Sequence, residues 1–332
     1  MDENVEDVVL HGWSRCVWSG SVHQLMNDRR GLTVVVPFLN EKGNLPMLCE
    51  RLGAAMASQP EAWELLLVDD GSTDGSAEWI EAKAKADPRI RLLRLSRNFG
   101  HQIAITAGLD HADGDAVVIM DADLQDPPEV IPDLLTKWRE GFEVIYAVRR
   151  RRQGETLAKR FLAASFYRIF RTLAKVNIPM DAGDFRLVDR KVVLAIREIR
   201  EMHRFMRGLT CWVGYRQSAV YYDRAARHAG EPKYTVWKSA RLAWDALTSF
   251  SGAPLRWMMT GGSLLILGGV LLSIRLLISK IRNPGEPVSG WVAVVAVLIV
   301  LSGVHILCMG LLGEYVMKTY EENKKRPLYF LR

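Results

Sequence analysis

Ala116-Val-Val-Ile-Met120 runs directly into Asp121-Ala-Asp123 and then Leu124-Gln-Asp-Pro-Pro128. A short apolar run rich in β-branched residues predicts a strand covered on both faces. Its abrupt end in carboxylates marks the strand's carboxyl edge, where open α/β sheets hold their ligands. Two carboxylates one residue apart suit Mg²⁺ or Mn²⁺, hard cations that take oxygen ligands and share them with substrate phosphates. Alone, the same pattern also describes a solvated acidic turn, so its neighbours decide.

Those neighbours repeat the theme. Strands are predicted at 32–38, 63–68, 90–95 and 116–121, and 144–148 closes the series. Helices are predicted between them at 45–57, 76–86, 101–111 and 128–140. Alternation at these lengths implies right-handed βαβ crossovers, hence an α/β fold with a mainly parallel sheet. The segments after three strands, Pro37-Phe-Leu-Asn-Glu41, Asp69-Asp-Gly-Ser-Thr-Asp74 and Asp121-Ala-Asp-Leu-Gln-Asp126, all carry carboxylates. No G-x-G-x-x-G follows the first strand and no G-x-x-x-x-G-K-S/T occurs, which argues against a dinucleotide oxidoreductase and a P-loop NTPase. An acidic sheet edge holding a metal points instead to a nucleotide-diphosphate donor. Two acids have structural alternatives. Glu41 suits a helix first turn, and Asp74 is read first as a helix cap.

The chain has 332 residues and a net charge of +6, with basic residues clustered at Arg149-Arg-Arg-Arg152, Lys159, Arg160, Arg168, Arg171 and Lys175. Such a cluster suits a phosphorylated substrate or anionic lipid. Nucleic acid is disfavoured by two long apolar stretches further along the chain. Residues 257–278 and 291–312 are each long enough to cross a bilayer core of roughly 30 Å. With the short linker between them they are expected to form a two-helix transmembrane hairpin. Basic residues before 257 and after 312 outnumber those of the linker, so the positive-inside rule puts the soluble domain and both termini in the cytoplasm. Basic, aromatic amphipathic helices are expected at the membrane interface at about 156–175 and at 234–256. Residues 1–30 are expected to be a flexible N-terminal extension, and 313–332 a C-terminal tail. The four cysteines, Cys16, Cys49, Cys211 and Cys308, show no metal spacing.

The acidic segments, with Arg97-Asn-Phe-Gly100 and Gly183-Asp-Phe-Arg186, resemble the family 2 glycosyltransferases of GT-A (Rossmann-like) fold. Within that group they are similar to the polyprenyl-phosphate glycosyltransferases, including bactoprenol glucosyltransferases and dolichol-phosphate mannose synthases. The resemblance covers about 31–330, with the cytoplasmic GT-A domain at 31–233. It implies a nucleotide pocket lined by Pro37, Asn40 and Glu41, with Asp69 or Asp70 on the uracil or ribose. Asp121 would hold the ribose or diphosphate region, and Asp123 and Gln125 would ligate a divalent metal. Asp184 would be the catalytic carboxylate, and Arg204 and Arg207 would reach the donor diphosphate or cover the pocket. Arg149, Arg160 and Ser165 would bind the acceptor phosphate, Arg149 being the firmest in register. The implied reaction moves a sugar, best read as glucose, from a UDP-sugar to undecaprenyl phosphate with inversion, in a membrane-bound homo-oligomer. Galactose, N-acetylglucosamine, an aminoarabinose derivative, or mannose from GDP-mannose are the other sugars. A processive synthase should carry Gln-x-x-Arg-Trp, but Leu255-Arg-Trp257 has no Gln ahead of it. A non-catalytic nucleotide-sugar-binding anchor is the reading from a different class.

Overall fold

β-branched strands alternate with amphipathic helices from Gly31 onward: β1 (Gly31–Phe38), α1 (Leu45–Met56), β2 (Ala62–Asp69), α2 (Ser76–Ala86), β3 (Ile90–Arg94), α3 (His101–His111), β4 (Ala116–Ile119), α4 (Ile131–Arg139) and β5 (Val144–Arg149). There follow β6 (Ala182–Asp189), α5 (Arg190–Glu198), α6 (Met206–Trp212), β7 (Gln217–Tyr222), α7 (Ala253–Arg282) and α8 (Trp291–Asn323). The computed structural model describes residues 31–150, 182–223, 253–282 and 290–332. The expectations for 1–30, for the basic helix at about 156–175 with Arg160 and Ser165, and for most of the helix at 234–256 lie outside the described residues.

The strands form one sheet in the order β3-β2-β1-β4-β6-β5-β7. β1 pairs in parallel with both β2 and β4, β2 with β3, and β5 with β7. β6 alone is reversed, antiparallel to both β4 and β5. This is an α/β fold with a mainly parallel sheet. The chain steps outward through β2 and β3, then returns to place β4 on the other side of β1. The crevice outside the carboxyl ends of β1 and β4 is therefore the topological switch point, where such sheets bind ligands.

One expectation is corrected here. Residues 144–148 do not close the sheet, because β6 inserts between β4 and β5 and β7 adds beyond β5. Ala182-Gly-Asp-Phe-Arg-Leu-Val-Asp189 carries Asp184, Arg186 and Asp189, so no apolar run announces it as a buried strand.

Side-chain alternation divides the core between the two faces of the sheet. Val34, Val36, Leu65, Leu67 and Val118 pack on one face with Leu45, Leu48 and Leu52 of α1 and Ile131, Leu134 and Leu135 of α4. Val35, Leu66, Val68, Val117 and Ile119 pack on the other with α3, α5 and α6. Helix α3 lies so close to β1 that a Cβ on Gly108 would stand 2.2 Å from Val35 Cγ1.

The stretch expected as a tail at 313–332 is built into the domain. Helix α8 runs through it to Asn323, and its end is tied to the domain where Glu322 Oε1 accepts from the Met202 amide at 2.7 Å. His203 Nε2 lies 2.7 Å from Glu321 Oε2. Beyond the helix, Ser96 N donates to Phe330 O at 2.8 Å and Arg332 N to Arg94 O at 3.0 Å. Leu331 thus bridges Leu95 in an antiparallel sense beside β3. Leu328 is buried, and the Tyr329 hydroxyl donates to Asp110 Oδ2 at 3.0 Å.

α7 and α8, of 30 and 33 residues, occupy the two apolar stretches. Among the described residues no helix is long and apolar enough to cross a membrane, so the structure gives these stretches as helices and does not establish them as spans.

Gly108→Ala should destabilise the protein. Ala gains about 1 kcal/mol in helix propensity, but overpacking against Val35 costs about 1–3 kcal/mol. The denaturant midpoint should fall, and Val35→Ala should cost less in the Gly108→Ala background than alone.

Candidate active site

The turn after β4 is shaped by a strained backbone. Met120 N still donates to Val35 O at 3.1 Å, and then Leu124 adopts φ 60°. A bulky residue in the left-handed region costs about 1–3 kcal/mol. The turn sends Ala122, Leu124 and Asp126 inward and leaves Asp121, Asp123 and Gln125 half-buried at the crevice. Asp123 Oδ1 accepts from the Gln125 amide at 3.1 Å.

The loops after β1 and β2 form a joined wall on the other side. Asn40, at φ 56°, accepts from Thr73 N at 2.8 Å through Oδ1, and its own amide donates to Ser72 Oγ at 3.0 Å. Glu41 Oε2 accepts from Asn44 Nδ2 at 2.7 Å, while Pro37 is buried within β1. Asp69 Oδ1 accepts from Ser72 N at 2.7 Å. Asp70 accepts from the amides of Phe99 at 2.7 Å and Gly100 at 3.0 Å, so it fixes the Arg97–Gly100 motif. Burial raises the Asp70 carboxyl despite those bonds. Asp74 accepts from Ser76 N at the start of α2 and from Lys42 N, but the N-cap position itself is held by Gly75, with no side-chain cap bond.

Across the crevice stands Asp184 of β6, which is 6% exposed. Arg207 of α6 grips it with two bonds, Nε to Oδ1 at 2.8 Å and Nη2 to Oδ2 at 3.1 Å. His101, the first residue of α3, completes the group. Its Nε2 lies 3.5 Å from Asp121 Oδ1 and 3.4 Å from Asp184 Oδ2. Burial would raise the Asp184 carboxyl, but Arg207 and His101 outweigh it and hold the group well below the usual carboxylate range. Burial raises Asp121 to about 6, helped by Asp184, Asp126 and Asp123 and opposed by His101. Burial likewise disfavours the charged His101 ring, yet Asp184 and Asp121 prevail and raise its pKa.

A second cluster lies beside the first. Asp126 is fully buried and accepts from the Tyr222 hydroxyl. Arg149 Nε donates to the same hydroxyl oxygen at 3.3 Å, and its Nη2 is 3.8 Å from Asp126 Oδ1. The end of β5 is thereby connected to the acidic turn.

The structure thus brings together Asp121, Asp184 and Arg207, and connects Arg149 to the Asp121–Asp126 turn. Arg204 is employed elsewhere: it is buried and donates to the carbonyls of Ile196 and Ile199 at the end of α5. Three contributors were not assigned from sequence, namely His101, Asp126 and Tyr222. His101 could have been found, since it directly follows Arg97-Asn-Phe-Gly100 and heads a helix at the sheet edge.

The description "Glycosyl transferase family 2" matches residues 33–197, which run from β1 into α5. The chain is 44% identical over 300 residues to the uncharacterized glycosyltransferase YkcC of Bacillus subtilis (strain 168), covering 90% of this chain and 93% of that protein. The chain belongs to glycosyl transferase family 2. This family 2 glycosyltransferase is also 38% identical to the bactoprenol glucosyl transferase of Shigella phage SfV, over 91% of this chain and 98% of that one. Identity to the prophage bactoprenol glucosyl transferase homolog of Escherichia coli (strain K12) is 37%, with the same two coverages.

For a family 2 site the donor set fits a divalent cation. Asp123 and Gln125 offer hard oxygen donors on one turn, and Asp121 Oδ1 is buried without a hydrogen bond. Among the described residues no group of three or more His, Cys, Asp or Glu is arranged to hold a metal. Such a set suits an ion completed by substrate phosphates and water.

Arg207→Met should remove the partner of a buried carboxylate. The loss at neutral pH should be roughly 2–3 kcal/mol, below the range for a fully buried pair because Arg207 keeps some solvent contact. Asp184 has a depressed pKa, so its contribution is present above the unfolded value near 4 and lost as pH falls through the folded one. Wild-type and variant denaturation curves measured from pH 7 downward should therefore converge below about pH 4.

Proposed function

We propose that this family 2 enzyme transfers glucose from UDP-glucose to undecaprenyl phosphate at the cytoplasmic face of the membrane, with inversion at the anomeric carbon. The observation that carries the reading is the shared contact of His101 with Asp121 and Asp184. It joins the acidic turn suited to a nucleotide diphosphate to the reversed strand that carries Gly183-Asp-Phe-Arg186. The relatives named bactoprenol glucosyl transferase, matched over 91% of this chain, support glucose and the lipid acceptor.

In this reading the donor lies between the wall built by Asn40, Glu41 and Asp69 and the turn at Asp121–Gln125. Asp70 acts through the loop it fixes. A divalent cation at Asp123 and Gln125 supplies charge neutralisation to the UDP leaving group when bound. The acceptor phosphate sits toward Arg149, with Arg160 and Ser165 as further candidates; guanidinium groups match phosphate oxygens bidentately. One phosphate oxygen attacks the anomeric carbon from the face opposite UDP. The new carbon–oxygen bond forms as the bond to UDP breaks, and the electron pair leaves on UDP. A phosphate monoester is largely dianionic at neutral pH, so no base is needed to generate the nucleophile. Asp184, ionised by Arg207 and His101, serves to orient the acceptor or to stabilise positive charge at the sugar carbon.

The membrane hairpin belongs to the same proposal. Leu264, Leu265, Leu267 and Leu271 of α7 and Val294, Leu298, Leu301 and Leu307 of α8 are all exposed. A helical apolar surface of this kind suits hydrocarbon, and helices of 30 and 33 residues reach past a core of roughly 30 Å. The interfacial helices and homo-oligomeric assembly complete the picture.

The test uses purified protein, Mg²⁺ or Mn²⁺, undecaprenyl phosphate and a panel of UDP-sugars with GDP-mannose, and reads the lipid product by mass spectrometry. A lipid phosphoglucose is expected; no lipid-linked sugar from any donor would overturn the reaction. Chelation, or Asp123→Ala, should cut turnover by about 100-fold or more. Asp184→Asn should do likewise, and near-normal turnover there would remove both roles given to Asp184.

A further inference from the structure

Tyr222 ends β7 level with the last residue of β5. In the parallel ladder Val148 pairs with Tyr221 and Arg149 with Tyr222, and Arg150 N donates to Tyr222 O at 2.9 Å. Residues paired in this way project from the same face of the sheet. The Tyr222 ring is buried and packs edge-on against the fully buried Phe185, with 5.8 Å between centroids. The core therefore fixes where its hydroxyl stands. A group carried on rigid elements holds its geometry better than one on loops.

A phenol hydroxyl has one proton to donate and lone pairs that accept. Tyr222 donates its proton to Asp126, fully buried on the turn after β4. Its lone pairs are thereby turned to Arg149, whose Nε donates to them at 3.3 Å. The other side of the guanidinium is bounded by β6. Between the pairs Tyr146–Arg186 and Val148–Ala182, β5 has only Ala147, while β6 has Gly183, Asp184 and Phe185. This bulge, a device that re-aims side chains beside active sites, brings Gly183 against Arg149. A Cβ on Gly183 would stand 3.0 Å from Arg149 Nη2. The guanidinium thus lies in a three-sided slot: a hydroxyl at Nε, a carboxylate 3.8 Å from Nη2, and side-chain-free backbone. Arginine has five N–H bonds, and Tyr222 engages only the one on Nε. The terminal nitrogens form the fork that matches two phosphate oxygens.

We propose that Tyr222 is a positioning residue: its hydroxyl, aimed by Asp126 and opposed by the backbone of Gly183, sets the Arg149 guanidinium to receive the acceptor's phosphate monoester. This rests on the acceptor site proposed above. Asp126 belongs to the same turn as Asp123 and Gln125, so the arginine that takes the acceptor is referenced to the turn that takes the donor. Tyr222 itself touches neither substrate. Its hydroxyl acts on acceptor binding, while the donor is held by other residues, Asn40, Glu41 and Asp69 among them.

Tyr222→Phe keeps the ring and its packing and removes only the hydroxyl. The KM for undecaprenyl phosphate should rise about tenfold, with the KM for UDP-glucose within about twofold of wild type. Gly183→Ala, which crowds the guanidinium from the opposite side, should raise the acceptor KM by a smaller factor. The two changes together should raise it by less than the product of their separate effects. A wild-type acceptor KM in Tyr222→Phe would overturn the proposal, as would equal rises in both KM values. A second arm needs no turnover. The Nε–H resonance of Arg149, assigned by its disappearance in Arg149→Lys, is followed by NMR. In Tyr222→Phe it should shift and exchange faster with water, and an unmoved resonance would overturn the slot. If the wild-type protein makes no lipid-linked sugar, the reaction reading fails, while the resonance still decides whether Tyr222 holds Arg149.

Discussion

Asp184 is buried at a sheet edge already crowded with Asp70, Asp121 and Asp126, and an ionised carboxyl survives there because Arg207 binds both of its oxygens. Isolated buried charge costs several kcal/mol, and a pair recovers this only with good geometry and further hydrogen bonds. Here the geometry is bidentate, and His101 adds a third contact. The pair fixes α6 against β6. Arg186, two residues along the same strand, repeats the device from the buried side, donating to Gly183 O at 2.7 Å and to Thr210 of α6. The active-site strand is thus bound to α6 by two arginines, one facing the crevice and one the interior.

That arrangement divides the labour within the crevice. Arg207 and His101 hold the Asp184 carboxyl well below the usual carboxylate range, whereas burial raises that of Asp121 to about 6. The proposed transfer asks little acid–base chemistry of the protein, since a phosphate-monoester nucleophile would arrive ionised and the leaving group would depart as a phosphate. What remains is placement and charge compensation, and the residues of the crevice serve those ends.

Much of this was legible in the sequence wherever chemistry and periodicity agreed. The bounds of α2 and α3 were read to the residue, and the first strands to within two or three, because apolar runs there are bordered by polar turns. β6 was missed as a strand, although its Gly-Asp-Phe-Arg was read as functional. Asp184 and Arg186 are stabilised by partners on α3 and α6 that are distant in sequence, so local hydropathy is silent about the strand. The place of Arg204 is hidden from the sequence for a related reason. A surface-like His-Arg-Phe-Met-Arg207 pattern does not reveal that one arginine turns inward to the carbonyls ending α5 while the other turns to Asp184. The place of His101, just after Arg97-Asn-Phe-Gly100 at a helix start, is legible in the sequence, but only the fold brings two carboxylates to it.

The pairing of residues 328–331 beside β3 has a consequence for how the domain is made. More than two hundred residues separate the two edges of that contact, and α7 and α8 lie between them in the chain. During synthesis the edge at Leu95 has no partner until residue 331 has left the ribosome, long after the catalytic strands have emerged. Non-local pairings of this kind form late. The bolt on the sheet edge closes only once both long helices have been produced, so the sheet is completed after, and not before, α7 and α8 have been synthesised.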